Sequence, residues 1–146
     1  CRLRLEIKKK LTIEKDLIET LSRSGTVNGP KFDFKCPPET HVTEIKGLHK
    51  GYIKKFGIVC SNGKSFDTPS NLTGDYGQKT FSFKRNNGFD SIKINAGSVI
   101  DGITIDNKTA GTFGRRAINK TCDNGRIVRM SGTRRLDDNL SSLQVH

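Results

Sequence analysis

Tryptophan is missing from this 146-residue chain, methionine occurs once and tyrosine twice. Hydrophobic residues make up only 32% of it, so the core must be thin and drawn from Ile, Val, Leu and the eight Phe. No apolar run approaches the ~20 residues that a helix needs to cross a bilayer, which excludes a helical membrane span. No Cys-x-x-Cys occurs, and His41, His49 and His146 show no zinc-ligand spacing near a cysteine. Neither a metal nor any other cofactor is therefore expected. No Ser or Cys nucleophile stands in a recognisable setting with His, and an enzyme is not expected.

Acidic residues are in the minority, 15 against 26 basic ones, for a net charge of +11. Such a chain is drawn to nucleic acid, acidic membranes or sulfated and sialylated glycans, unless the charge is simply a solvated surface. Nucleic acid is the weakest of these partners. No recognised nucleic-acid motif occurs, and the lack of Trp and shortage of Tyr limit base stacking. The cations are clustered as Lys8-Lys9-Lys10, Lys54-Lys55, Arg115-Arg116 and Arg134-Arg135.

What the chain does have is glycine, 15 in all, with many Asn, Asp, Ser and Thr. That composition favours a turn-rich β protein. A short pattern returns three times: an apolar strand, a glycine, a tip, then a strand of alternating apolar residues. Its copies run from Ile45 to Val59, from Ile92 to Ile105 and from Ile127 to Leu140. Gly51, Gly97 and Gly132 read as the matching turn glycines. Three of the cationic clusters lie at or near the tips. A unit that cannot bury its own apolar face buries it against its copies, so the repeat predicts a pseudo-threefold all-β domain. Asn62-Gly63, Asn87-Gly88 and Asn124-Gly125 are strong two-residue turn signals beside the repeats. The predicted hairpins join Val42–Ile45 to Phe56–Cys60, Ile92–Ile94 to Ile100–Ile105, and Ile127–Met130 to Leu140–Val145. Phe32 with Phe34, and Phe81 with Phe83, mark further strands.

Residues 1–24 read differently and form an extension, a possible connector to another domain. Cys1 to Ile7 alternates at strand period, and Ile13, Leu17, Ile18 and Leu21 recur at helical spacing up to Gly25. A strand and a short helix are expected there. The chain opens on Cys1, as a processed or trimmed fragment does.

Cys1, Cys36, Cys60 and Cys122 are even in number and widely spaced, which fits two disulfides in an oxidising compartment. Four buried thiols in a cytosolic protein are the alternative. Three connectivities are possible; Cys36 and Cys60 bracket the first repeat, so they are expected to pair, leaving Cys1 with Cys122. N-glycosylation triplets at Asn71, Asn107, Asn119 and Asn139 point the same way, to a secreted glycoprotein.

Gly97-Ser98-Val99-Ile100-Asp101, followed by Gly102-Ile103-Thr104-Ile105, is a Gly-x-x-x-Asp hairpin tip within a three-unit β chain. Together with Cys60-Ser61-Asn62-Gly63 and Asn124-Gly125-Arg126-Ile127-Val128, it resembles the jacalin-related lectins over residues 25–146. The cadence of Cys36-Pro37-Pro38 through Cys60, and Asp137-Asp138-Asn139-Leu140, is also similar to the vitelline membrane outer layer protein. Both resemblances imply a β-prism of three pseudo-symmetric antiparallel Greek-key units. The first implies a secreted lectin; the second implies a structural matrix or egg-coat protein. The first repeat has Lys54-Lys55 where the family pattern has Asp, and the third has a longer spacing from Gly132 to Asp137 or Asp138. Only the second keeps the pattern.

The resemblance implies a sugar site at Gly97, Ser98, Val99, Ile100 and Asp101, with Gly111 and Gly114 closing on the ring from the facing loop. A carboxylate accepts from two neighbouring hydroxyls, and such charge-assisted bonds are the stronger kind. Alternatively, Asp101 bonds its own hairpin and Gly97 merely makes the turn. Lys54, Lys55, Arg115, Arg116, Arg134 and Arg135 are the candidate contacts for anionic glycans. Arg134 and Arg135 are read first as solvated partners of Asp137 and Asp138. Asp101 and Asp137 could in principle act as a glycosidase carboxylate pair, but they lie in different repeats, which a prism separates. The partners expected are neutral hexose or acidic and sulfated glycans, and a second copy of the chain.

Overall fold

The computed structural model describes residues 2–4, 16–18, 20–70, 77–114, 116–122 and 125–146. Among them every regular element is a strand. β1 (Arg2–Arg4) and β2 (Asp16–Ile18) form a separate antiparallel pair. The helix expected around Leu17 and Ile18 is thus replaced by a strand. The register sets Leu3 opposite Leu17 and Arg4 opposite Asp16, and this pairing overrides a short helical period. Ile13, at the start of that expected helix, and Lys8-Lys9-Lys10 lie outside the described residues.

β3 (Ser24–Gly25) and β4 (Lys31–Lys35) come next. β5 (Val42–Lys50), β6 (Tyr52–Cys60), β7 (Ser65–Asp67) and β8 (Lys79–Lys84) follow. β9 (Ser91–Ala96), β10 (Ile100–Ile105), β11 (Lys108–Gly111) and β12 (Ala117–Thr121) repeat the arrangement. β13 (Arg129–Arg134) and β14 (Leu140–Val145) end the chain. They form three four-stranded antiparallel sheets, ordered β7-β6-β5-β8, β11-β10-β9-β12 and β3-β14-β13-β4. In the first two sheets the fourth strand returns beside the first, a Greek key. The third has the same spatial order but draws its outer strands from the start of the chain and its inner hairpin from the end. The architecture is a β-prism.

The second strands of the three hairpins, β6, β10 and β14, face one another across the core. Their sequences superpose as Ile53-Lys54-Lys55-Phe56, Ile100-Asp101-Gly102-Ile103 and Leu140-Ser141-Ser142-Leu143. The first and fourth residue of each are fully buried. Phe32, Phe34, Phe56 and Phe66 stack where the first and third sheets meet, with neighbouring ring centroids 4.8 to 6.4 Å apart. Phe and Ile side chains thus supply a core without Trp, as the composition requires.

Gly51, Gly97 and Gly132 are not equivalent. Gly51 is at the first hairpin's apex and Gly97 at the second, but Gly132 lies inside β13, opposite Leu143 and Phe32. Its counterparts are Gly47 and Ile94. The third tip is instead the segment from Arg135 to Asn139, closed by Arg135 N–H donating to Asn139 O at 2.8 Å. A longer tip displaces every residue aligned through Gly132.

Cys36 and Cys60 are joined, 5.7 Å apart at Cα, tying the end of β4 in the third sheet to the end of β6 in the first. Cys122 is also disulfide-bonded. Its expected partner, Cys1, lies outside the described residues.

Candidate functional site

All three hairpin tips gather at one end of the prism, around an open cleft of about 440 Å³. The first tip contributes Tyr52 and the second Gly97, Ser98, Val99 and Asp101. The third contributes Arg135 and Asn139, and Arg116 enters from the start of β12. Asp101 and Asp137 belong to different tips at this end, and only Asp101 lines the cleft. Asp137 is engaged by Arg135 and is not part of the lining.

A β-bulge aims Asp101. In the β9–β10 ladder Ile100 pairs with Ala96 and Gly102 with Asn95, so Asp101 is skipped. Bulges re-aim a side chain in this way. The same step recurs in the other hairpins. It skips Lys54 between Ile53 and Lys55, and Ser141 between Leu140 and Ser142. Lys54 places its ammonium 5.7 Å from the Tyr52 ring centre. Ser141 is fully buried and donates to Asn28 O at 2.6 Å. Thus the residue equivalent to Asp101 in the third unit is Ser141, not Asp137 or Asp138. Only the second bulge holds a carboxylate.

Partial burial lifts the Asp101 carboxyl above the usual carboxylate range, opposed by the nearby Arg116 guanidinium. The two do not close to ion-pair distance among the described residues. Gly97 does not need its glycine for a left-handed backbone, as Gly51 at φ +69° does. A Cβ there would stand 3.2 Å from Arg116 Nη1, a tight contact with the movable end of that side chain.

Ile100 is fully buried below the tip and anchors it rather than facing the cleft. Gly111 and Gly114 do not close over it. Gly111 packs on the Asp101 carbonyl and Gly114 against the Asn95 amide, supporting the tip from behind. Thr112 completes that support, receiving Asn95 Nδ2 on its carbonyl at 2.9 Å and donating through Oγ1 to Gly51 O at 2.8 Å. This loop therefore ties the first tip to the second.

Among the cationic candidates, Arg116 and Arg135 reach the cleft, and Lys54 stands beside its Tyr52 wall. Arg134 pairs with Asp138 at 3.7 Å, both side chains partly covered, and Arg135 with Asp137 at 3.0 Å, both more exposed. Lys55 sits on β6 away from the lining, and Arg115 lies outside the described residues. Tyr52 and Asn139 are site residues that the linear pattern does not mark as such. The signal available for Tyr52 is its place directly after the apical Gly51. Asn139, expected as a glycosylation acceptor, is only 8% exposed and binds Asp137 through Nδ2 at 3.3 Å, so the folded chain does not offer it. Asn107 and Asn119 are exposed, on a turn and an edge strand. Asn71 lies outside the described residues.

No protein-family model and no curated protein sequence matches the chain. Solved structures do. A mannose-specific jacalin-related lectin from Morus nigra, in complex with mannose, aligns at TM-score 0.67 and 20% identity over 94% of this chain and 98% of that one. A mannose-binding lectin from Champedak aligns at TM-score 0.64 and 22% identity, covering 88% and 94%. Single-chain recombinant jacalin aligns at TM-score 0.65 and 17% identity, covering 92% and 96%. At these identities the likeness establishes the β-prism fold of the jacalin-related lectins.

Proposed function

We propose that this protein is a carbohydrate-binding module whose site is the cleft between the hairpin tips, with Asp101 as its central acceptor. The observation that carries the reading is the bulged Asp101. It is a carboxylate without a hydrogen-bond partner among the described residues, on the wall of an open cleft. A carboxylate left unpaired at a cleft wall is ready for ligand hydroxyls, and each charge-assisted bond it makes there is worth about 1.5–3 kcal/mol. Tyr52, in the lining, offers an aromatic ring for the sugar's C–H surface. Support also comes from the fold relatives, two of which are described as mannose-binding or mannose-specific.

The module binds sugar and does not transform it. It works outside the cytosol, a placement supported by the Cys36–Cys60 bridge and by the exposed acceptor triplets at Asn107 and Asn119. The test is a glycan array on the wild type and on Asp101→Asn, with folding followed by circular dichroism. The reading expects defined glycans to be retained by the wild type and lost by the folded variant. Equal retention by both would remove Asp101 from the site.

A further inference from the structure

The cleft walls carry opposite charges in an unequal state of satisfaction. Arg135 spends Nη2 on Asp137 and makes no other ion pair among the described residues, out of a fork of five donors. Arg116 lines the cleft with no hydrogen bond or ion pair among the described residues. Its guanidinium lies close to the second tip, with Nη1 3.2 Å from where a Cβ on residue 97 would stand. Asn139 forms a third wall. It is 8% exposed, and its Oδ1 is buried with no partner among the described residues.

A sugar hydroxyl both donates and accepts, so hydroxyls alone can serve the Asp101 carboxylate and an Arg116 N–H. That uses Asp101 fully but engages little of either guanidinium fork. Two forks with free N–H groups on one small cleft match a planar or tetrahedral oxyanion, which a neutral sugar lacks. The chain's net charge of +11 adds a long-range attraction for such ligands.

We propose that the cleft selects glycans bearing an anionic substituent, a carboxylate or a sulfate, held against Arg135 and the free edge of Arg116 while Asp101 takes neighbouring hydroxyls. This rests on the carbohydrate-binding reading and adds the ligand class to it.

The test is an array printed with matched neutral, uronate-bearing and sulfated forms of the same mannose, galactose and glucosamine oligosaccharides, read at physiological salt. The wild type is compared with Arg116→Gln, Arg135→Gln and the double variant Lys46→Gln/Lys84→Gln, whose lysines lie on the first sheet outside the cleft lining. The expected result is acidic members bound on the order of tenfold more tightly than their neutral partners, as one charged contact gives. Either arginine variant erases that margin and the lysine variant keeps it. Whether uronates or sulfates carry the margin identifies the oxyanion. Neutral glycans bound as tightly as acidic ones, and dependent on Asp101, would overturn this inference and leave the carbohydrate site standing. An acidic margin that survives both arginine variants and falls in the lysine variant would assign it to general surface charge, which also overturns it. No binding to any member would overturn both readings.

Discussion

Asp101, Lys54 and Ser141 occupy one structural position three times over, and their chemistry differs completely. Lys54 leans on a tyrosine, Ser141 is sealed in a hydrogen-bonded interior, and Asp101 is left open to the cleft. Burial raises the Asp101 carboxyl above the usual range, so it takes up a proton earlier than an ordinary aspartate as the solution is acidified. Protonation removes acceptor capacity. Glycan affinity measured by titration calorimetry is therefore expected to weaken on acidification at a higher pH than an ordinary aspartate would give, and Asp101→Asn is expected to bind weakly at every pH. Gly97→Ala is expected to keep the fold and lower affinity, because the added Cβ crowds Arg116 without straining the backbone. Matched melting temperatures with lost binding would show it. At the opposite scale of burial, His146 is held neutral, its pKa pushed down to about 4 chiefly by burial and then by Arg129. Its ring nitrogens meet Thr20 Oγ1 at 3.0 Å and Ser131 Oγ at 2.8 Å. An unfolded histidine titrates near ~6.5. The unfolded chain therefore binds the extra proton between those values, and stability falls as pH drops from about 6.5 towards 4. Denaturant midpoints should fall over that window in the wild type and less in His146→Gln.

The hairpins are the elements that sequence reads best. Apolar alternation, the Asn62-Gly63 and Asn87-Gly88 turns and the Gly97–Asp101 tip are all local signals, and each appears where its physics demands; Asn124, of the third Asn-Gly pair, lies outside the described residues. Asn62 Oδ1 accepts from Lys64 N–H at 3.1 Å, and Gly63 takes φ +89°. The first two sheets are likewise built from consecutive strands. The third tip escapes a local reading because a strand glycine and a turn glycine look alike in a linear pattern. Gly132 is required by crowding against the Ser142 carbonyl and the Phe32 ring, a long-range contact that no spacing reveals. β2 escapes it for a related reason: its pairing with β1 outweighs a short helical periodicity. The Cys36–Cys60 bridge is legible because both cysteines flank one repeat, although it joins two sheets. Closing a loop of 24 residues, it is expected to contribute about 3 kcal/mol, so the Cys36→Ala/Cys60→Ala pair should unfold at markedly lower denaturant. Phe56→Ala, at the fully buried centre of the Phe stack, should cost about 3–5 kcal/mol by the same measurement.

At the scale of the molecule, the third sheet is completed only when β3 and β4 from one end of the chain meet β13 and β14 from the other. Topology of this kind is invisible to a local reading, and it sets the geometry of the site. Asn28 O receives Ser141 Oγ, and Pro30 O receives Arg134 N–H at 3.0 Å. The early segment thus anchors the third tip beside the second. The whole-molecule charge acts separately from the cleft. Weak attraction to any polyanion should fade with salt, whereas retention through Asp101 should persist. The most direct test of the central claim is a heteronuclear NMR titration of the labelled protein with the strongest array glycan. Amide shifts are expected to concentrate at Tyr52, Gly97–Asp101 and the tip from Arg135 to Asn139. Shifts gathered instead at the opposite end, around the Asn62-Gly63 and Asn87-Gly88 turns, would contradict it.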